Sequence, residues 1–272
     1  MWLLTTVSLV RAQLGELFYF QFHPSFFSFA SAVVLGPGVQ KILEILRESS
    51  KFAVRDFYEI QCLQTSSRVT SFFSGLRAKI KSSLIRNIGK YRSAADIGSE
   101  IEFCVFPING CANFTRGIPH FALCVLIKKS GTPFACAVEA PMLNTAFCTE
   151  KNCGTFVLDS NSSCRTRIRD CHDFNDALLL VGNGCYGCHV FDLSKISQVR
   201  SLGCTSLDAA YVACGRADAL LLQKDLVNQD MLLLAKLIVE ESGGMTTEWD
   251  NYVLLSGKSL TREIKNLVEI KH

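Results

Sequence analysis

C-V-F-P-I-N-G-C-A-N-F-T-R-G-I-P-H-F-A-L-C-V-L-I, residues 104–127, sets how the rest of the chain is read. A short apolar strand runs into Pro107 and Gly110, crosses a small polar segment and returns as a longer apolar strand. Gly accepts the positive φ of a tight turn without a steric penalty. Polar residues around such a turn let backbone N–H groups face a ligand.

Downstream, strand signals dominate. Phe121–Ile127 and Phe134–Glu139 flank the hairpin sequence K-K-S-G-T-P at 128–133. Thr145–Thr149 and Thr155–Val157 extend the series. Beyond a polar break at Asp159–Ser163, strands are expected at Arg165–Arg169 and Ala177–Val181. The C-terminal third changes rhythm. Helical patterns cover Thr205–Gly215 and Asp230–Ser242, the second followed by the C-cap signal Gly243-Gly244. Short strands fall at Ala219–Leu222, Met245–Glu248 and Val253–Leu255, and a last helix at Leu260–Ile270.

Upstream, Val39, Ile42, Leu43, Leu46, Ala53 and Phe57 fall near one face of a helix beginning at Gly38. Leu63–Phe73 reads as a Ser/Thr-rich connection, Leu76–Ile88 as a second helix closed by Gly89, and Tyr91–Glu100 as a polar loop. Helices, then antiparallel strands, then alternating strands and helices predict a layered α+β protein. No internal repeat is visible.

Composition narrows the classes. The 272 residues suffice for a sizeable core, and a 49% apolar, 19% charged chain is not a disordered one. A net charge of +3 with Lys and Arg scattered along the sequence gives no nucleic-acid signal. The 13 Cys show no regular spacing, and several sit inside apolar runs as small core residues, which predicts a reducing, cytoplasmic setting. Residues 1–30 are Phe-rich. Their apolar run is interrupted by Gln21, His23, Pro24, Ser25 and Ser28, and no basic start of a signal peptide precedes it. An extension is expected at 1–30, ahead of one folded domain at 31–272, with no membrane span.

Two local motifs have ordinary explanations. Cys185-Tyr186-Gly187-Cys188-His189 matches C-x-x-C-H haem or half-zinc spacing, but Cys148/Cys153 and Cys171/His172 are poor second ligand pairs. A chance match is expected in so Cys-rich a chain. His120 lacks a nucleophile-elbow partner and reads as a hydrogen-bonded structural histidine. Asp230, at the start of an apolar helix, reads alone as an N-cap.

Several ordered blocks together resemble the inositol monophosphatase family of magnesium-dependent phosphatases, and within it the bacterial extragenic-suppressor branch. F-P-I-N-G-C-A-N-F at 106–114 is similar to the family's D-P-[IL]-D-G-T-x-N-F. S-L-G-C-T-S-L-D-A-A-Y-V-A-C-G-R-A-D at 201–218 resembles its G-[ST]-A-A-L-D-x-A-x-V-A-x-G-R-x-D helix. N-Q-D at 228–230 lies where the family has P-W-D, and E-S-G-G at 241–244 where it has E-A-G-G. R-D-F-Y-E-I-Q-C-L-Q at 55–64 also matches the branch.

The resemblance implies an αβαβα sandwich, a homodimer, Mg²⁺ as cofactor and hydrolysis of inositol or sugar phosphates. Its ligand positions fall on Phe106, Asn109, the Ile108 carbonyl and Asp230, and its water-activating Thr on Cys111. An aromatic ring and a neutral amide thus stand where the chemistry needs carboxylates. In the stretch that should carry a Glu-Glu pair, only Asp96, Glu100 and Glu102 are acidic. The family's other upstream acids fall on Arg77 and Lys81, and its inositol-binding Glu on Leu222 or Gln223. Gly110, Cys111, Gly203, Cys204 and Thr205 keep the positions implied to contact phosphate and substrate. The expectation is a catalytically impaired member that binds a phosphorylated small molecule, or a non-catalytic one that binds a macromolecular partner.

Overall fold

A computed structural model describes residues 36–60, 62, 66–160, 162–185, 196 and 198–262. The expectations for 1–30, and for Cys188 and His189, lie outside these residues. Five layers stack in the order helix, sheet, helix, sheet, helix.

The first layer pairs α1 (Pro37–Ile60) with α2 (Ser66–Ala94). The apolar stripe of α1 is buried as its spacing predicts, from Val39 to Phe57. α2 is longer than expected at both ends. It begins inside the supposed connection, because Val69, Phe72, Phe73 and Leu76 continue the helical spacing onto the core. It passes through Gly89, and Tyr91 beyond that glycine still packs on the core.

Sheet 1 is an antiparallel meander of β1 (Ile101–Asn109), β2 (Ala122–Lys129), β3 (Thr132–Ala140), β4 (Thr145–Glu150), β5 (Gly154–Asp159) and β6 (Ser163–Arg165) in sequence order. Ser130 and Gly131 join β2 to β3 with φ of +49° and +76°, the two-residue turn whose twist suits a hairpin. Period two sorts β2 between layers. Leu123, Val125 and Ile127 meet α1 and α2, while Ala122, Cys124 and Leu126 meet the middle helices.

Those middle helices are α4 (Thr205–Ala213) and α5 (Gln229–Glu241); the short α3 (Cys111–Thr115) precedes β2. Their opposite faces pack on sheet 2 through Ala209, Val212, Ala235 and Val239. Sheet 2 is mixed: β10 (Met245–Trp249), β11 (Tyr252–Ser256), β9 (Ala219–Gln223), β7 (Leu178–Val181) and β8 (Gln198–Arg200). β7 runs parallel to β8 and β9. Its outer face is covered by a cluster that includes Leu260, from the helix at residues 258–262.

Arg165–Arg169 is not the expected strand. Only Arg165 stays in sheet 1, and Thr166 turns inward to donate from Oγ1 to the Thr155 carbonyl at 3.1 Å. No described helix is long and apolar enough to cross a membrane.

Candidate functional site

β1 is an edge strand, which tolerates the missing N–H of Pro107, and its pairing with β2 shifts register between Phe106 and Asn109. The chain then turns at Gly110, φ +88°, where a Cβ would come within 2.9 Å of the His120 carbonyl and 3.3 Å of Cys204 Cβ. Only glycine fits that approach. Below it, Phe114 closes an aromatic cluster with Phe57, Phe73 and Phe121, at centroid separations of 5.4, 5.5 and 4.8 Å. Each such pair contributes about 0.5–1.5 kcal/mol beyond burial.

Two amides tie this turn to the start of α4. Asn113 Nδ2 donates to the carbonyls of His120 and Leu202 at 2.8 and 2.7 Å. Asn109 Oδ1 accepts from Ser206 N and Ser206 Oγ, both at 2.9 Å, and from Cys204 Sγ at 3.2 Å. Cys204 stands at the N-cap position of α4 without a side-chain cap bond. Asn109 therefore caps α4 from another element, satisfying an N–H that the helix cannot. Gly110 and Cys204 are thereby brought together. Burial pushes the Cys204 thiol well up, and it pushes Cys111 up too, an effect that Arg77 partly offsets.

Asp230 goes elsewhere. Asn228, not Asp230, caps α5, its Oδ1 accepting from Asp230 N at 3.0 Å and Met231 N at 3.2 Å. The Asp230 carboxylate instead pairs with Lys128 Nζ at 3.0 Å, and Lys128 pairs with Glu102 at 3.1 Å. Glu102 and Lys128 are cross-strand partners, and Cys104 on the same face donates its thiol to Glu102 at 3.5 Å. Burial, with the Asp230 carboxylate next, pushes the Cys104 thiol up to about 12, while the two carboxylates hold the Lys128 ammonium charged. From Cys104 to Asn109 is roughly 15 Å along a strand. Asp230 thus contacts Lys128, while Asn109 contacts Cys204 and Ser206. Glu102 and Asp230 do converge, on an ammonium.

Beside Phe106, a cleft of about 410 Å³ opens between α2 and the free edge of β1. Phe73, Arg77, Lys81, Phe106, Pro107 and Ile108 are among the residues that line it. Arg77 and Lys81 form no ion pair with a described residue. Magnesium takes hard oxygen donors in near-octahedral geometry, usually with one or two carboxylates. A ring at 106, an amide oxygen already accepting three donors at 109 and two cations on the cleft wall do not fit it. Among the described residues no three His, Cys, Asp or Glu side chains gather to hold a metal ion.

Three placements were not read from the sequence. Lys128 reads in the sequence as part of the hairpin turn, though period two puts it on the face of Leu126 and Cys124. The capping role of Asn109 has no local signal, since its helix starts near residue 205. His120 Nε2 lies 3.7 Å from the buried Asp208 carboxylate, a long ion-pair approach, and the ring packs against Tyr211. Burial raises Asp208, and His120 opposes that shift. Leu222 is buried between α4, α5 and sheet 2.

A sequence profile of the inositol monophosphatase family matches residues 71–266. The inositol-1-monophosphatase of Rhizobium meliloti is 28% identical over 228 residues, covering 76% of this chain and 84% of the relative. The Nus factor SuhB of Xylella fastidiosa is 29% identical over 128 residues, 44% of this chain and 45% of its own length. Among solved structures, the extragenic suppressor protein suhB of Bartonella henselae superposes with a TM-score of 0.72 at 20% identity, covering 86% of this chain and 99% of its own. The inositol monophosphatase of Anabaena gives 0.65 at 18% identity, covering 86% and 97%.

Proposed function

The chain belongs to the inositol monophosphatase family, and we propose that it serves there as a binding protein without magnesium-dependent phosphatase activity. One observation carries this reading: the charge around the end of β1 is exchanged. Phe106 stands at the position of a carboxylate and packs toward the middle helices, and Arg77 and Lys81 line the cleft beside its strand. Two-metal phosphate chemistry needs cations clamped between attacking and leaving oxygens. A pair of fixed side-chain cations repels those ions instead. Inositol or sugar phosphates remain the ligand class that the family membership favours. The joined turns at Gly110–Cys111 and Gly203–Thr205 supply backbone N–H groups for one.

The test is phosphate release from inositol 1-phosphate, supplied at about 10 mM, above the usual range of substrate KM values, by the purified full chain with magnesium varied from none to saturating. No magnesium-dependent release is expected. A rate that saturates with magnesium and disappears in Asp230→Asn would overturn the reading.

A second reading is that the surface binds a macromolecular partner, which the name Nus factor SuhB among the relatives favours. A homodimer belongs to the same proposal. Sedimentation of the purified chain should give twice the monomer mass, and a monomer at all concentrations would remove that part.

A further inference from the structure

We propose that the cleft between α2 and β1 holds a small organic phosphate directly, on the side chains of Arg77 and Lys81, with no metal ion. The proposal rests on the reading above, because it needs a site free of magnesium. It adds the residues, the charge and the chemical class of the ligand.

Arg77 and Lys81 are four residues apart on α2, so their side chains rise from the same face about 6 Å apart at Cβ. Both line the cleft, and neither is neutralised by a described carboxylate. Elsewhere near β1 the molecule behaves differently: Lys128 has two carboxylates within 3.1 Å. α2 itself carries no Asp or Glu in its 29 residues, so no intrahelical partner is available either. Two full positive charges on one wall call for a doubly charged anion. The planar guanidinium matches two phosphate oxygens with parallel N–H donors, and the ammonium adds a point charge.

The opposite wall and floor are apolar. Phe73, Val105 and Ile108 offer a surface for the body of the ligand, with Phe73 suited to a flat ring. About 410 Å³ lies within the size range of small-molecule sites, and exceeds what a bare phosphate fills. A phosphate monoester with an unsaturated or aromatic body therefore fits the cleft better than inorganic phosphate does.

Isothermal titration of the full chain with phenyl phosphate and with inorganic phosphate, both in excess EDTA, tests this. Phenyl phosphate should bind, and more tightly than inorganic phosphate. Arg77→Gln and Lys81→Gln, both at exposed positions that leave the fold intact, should each weaken it about 10-fold or more. Lys79→Gln should leave it unchanged, because Lys79 points away, over the Phe52 ring at 4.7 Å. Arg77→Lys should fall between wild type and Arg77→Gln. No binding at millimolar phenyl phosphate, equal binding in all variants, or binding that appears only when magnesium replaces EDTA would each overturn the proposal. Absence of binding together with absence of magnesium-dependent hydrolysis would sink this proposal alone. Magnesium-dependent hydrolysis would sink the reading beneath it.

Discussion

Two groups of charges lie along β1, one near each end, and they are built in opposite ways. Near Glu102, two carboxylates close on one ammonium: Glu102 and Asp230 both reach Lys128. Beside the strand at Phe106, two cations of α2 line a cleft with no described carboxylate among its residues. The first group already holds a cation and keeps one net negative charge, so a metal ion entering it must displace a covalently tethered ammonium. The second holds no described carboxylate, and its charge opposes the approach of a metal ion. The difference teaches that the positions where the family carries metal ligands are engaged in other contacts here, Asp230 with Lys128 and Asn109 with the start of α4.

Substitutions can break or sharpen that contrast, the largest effects coming from the groups that hold the turn in place. Asn113→Ala removes both donors that tie the turn to Leu202 and His120. It should destabilise the fold by about 4 kcal/mol, since two carbonyls lose their partners. Urea unfolding measures it, and a loss under about 1 kcal/mol would mean the turn is held by other contacts.

Glu139 is an intermediate case on the other face of the same sheet. It is buried, among the described residues it pairs with the half-exposed Arg47 at 3.5 Å, and desolvation pushes its carboxyl up to about 7 from 4.5. Between those pH values the unfolded chain releases the proton while the folded one keeps it. The group's stabilising contribution is therefore full below pH 4.5 and declines as pH rises to about 7. The change should amount to roughly 3 kcal/mol across that window. Glu139→Gln should flatten this part of the stability–pH curve, and an unchanged slope would place the carboxyl in contact with water.

Asn109→Ala should cost about 1–2 kcal/mol through the lost cap of α4. Asn109→Asp keeps an acceptor at the helix start and should recover most of it. Equal losses in both would show that the cap does not hold α4. The smallest effect is expected at Lys128→Met. Its partners are partly exposed, so the urea midpoint should move only slightly, and not at all in about 1 M salt, where the screening length falls to about 3 Å. A large, salt-independent shift would mean that the ammonium is shielded from solvent.

The layers were legible because they depend on periodicity. The stripe of α1, the alternation in β2 and the two-residue turn at Ser130-Gly131 all follow from local chemistry. Errors arose where composition conflicts with packing. The serines around Val69, Phe72 and Phe73 hid the first turns of α2. The alternating arginines 165, 167 and 169 imitated a strand in a segment that is crossing from one sheet to the other. β8, with the sequence Gln198-Val199-Arg200, is too short and polar to announce itself. In the site, the replaced identities could be read directly, but their new partners could not. Asn109 meets Ser206 across 97 residues and Asp230 meets Lys128 across 102, separations that no local pattern encodes.

Manganese is a paramagnetic stand-in for magnesium in an oxygen-ligand site. Titrating it into the full chain and following the free-ion signal by electron paramagnetic resonance tests the central claim most directly. The account predicts that the free signal matches buffer alone, in wild type and in Asp230→Asn alike. Stoichiometric loss of free signal in wild type, restored by Asp230→Asn, would contradict it.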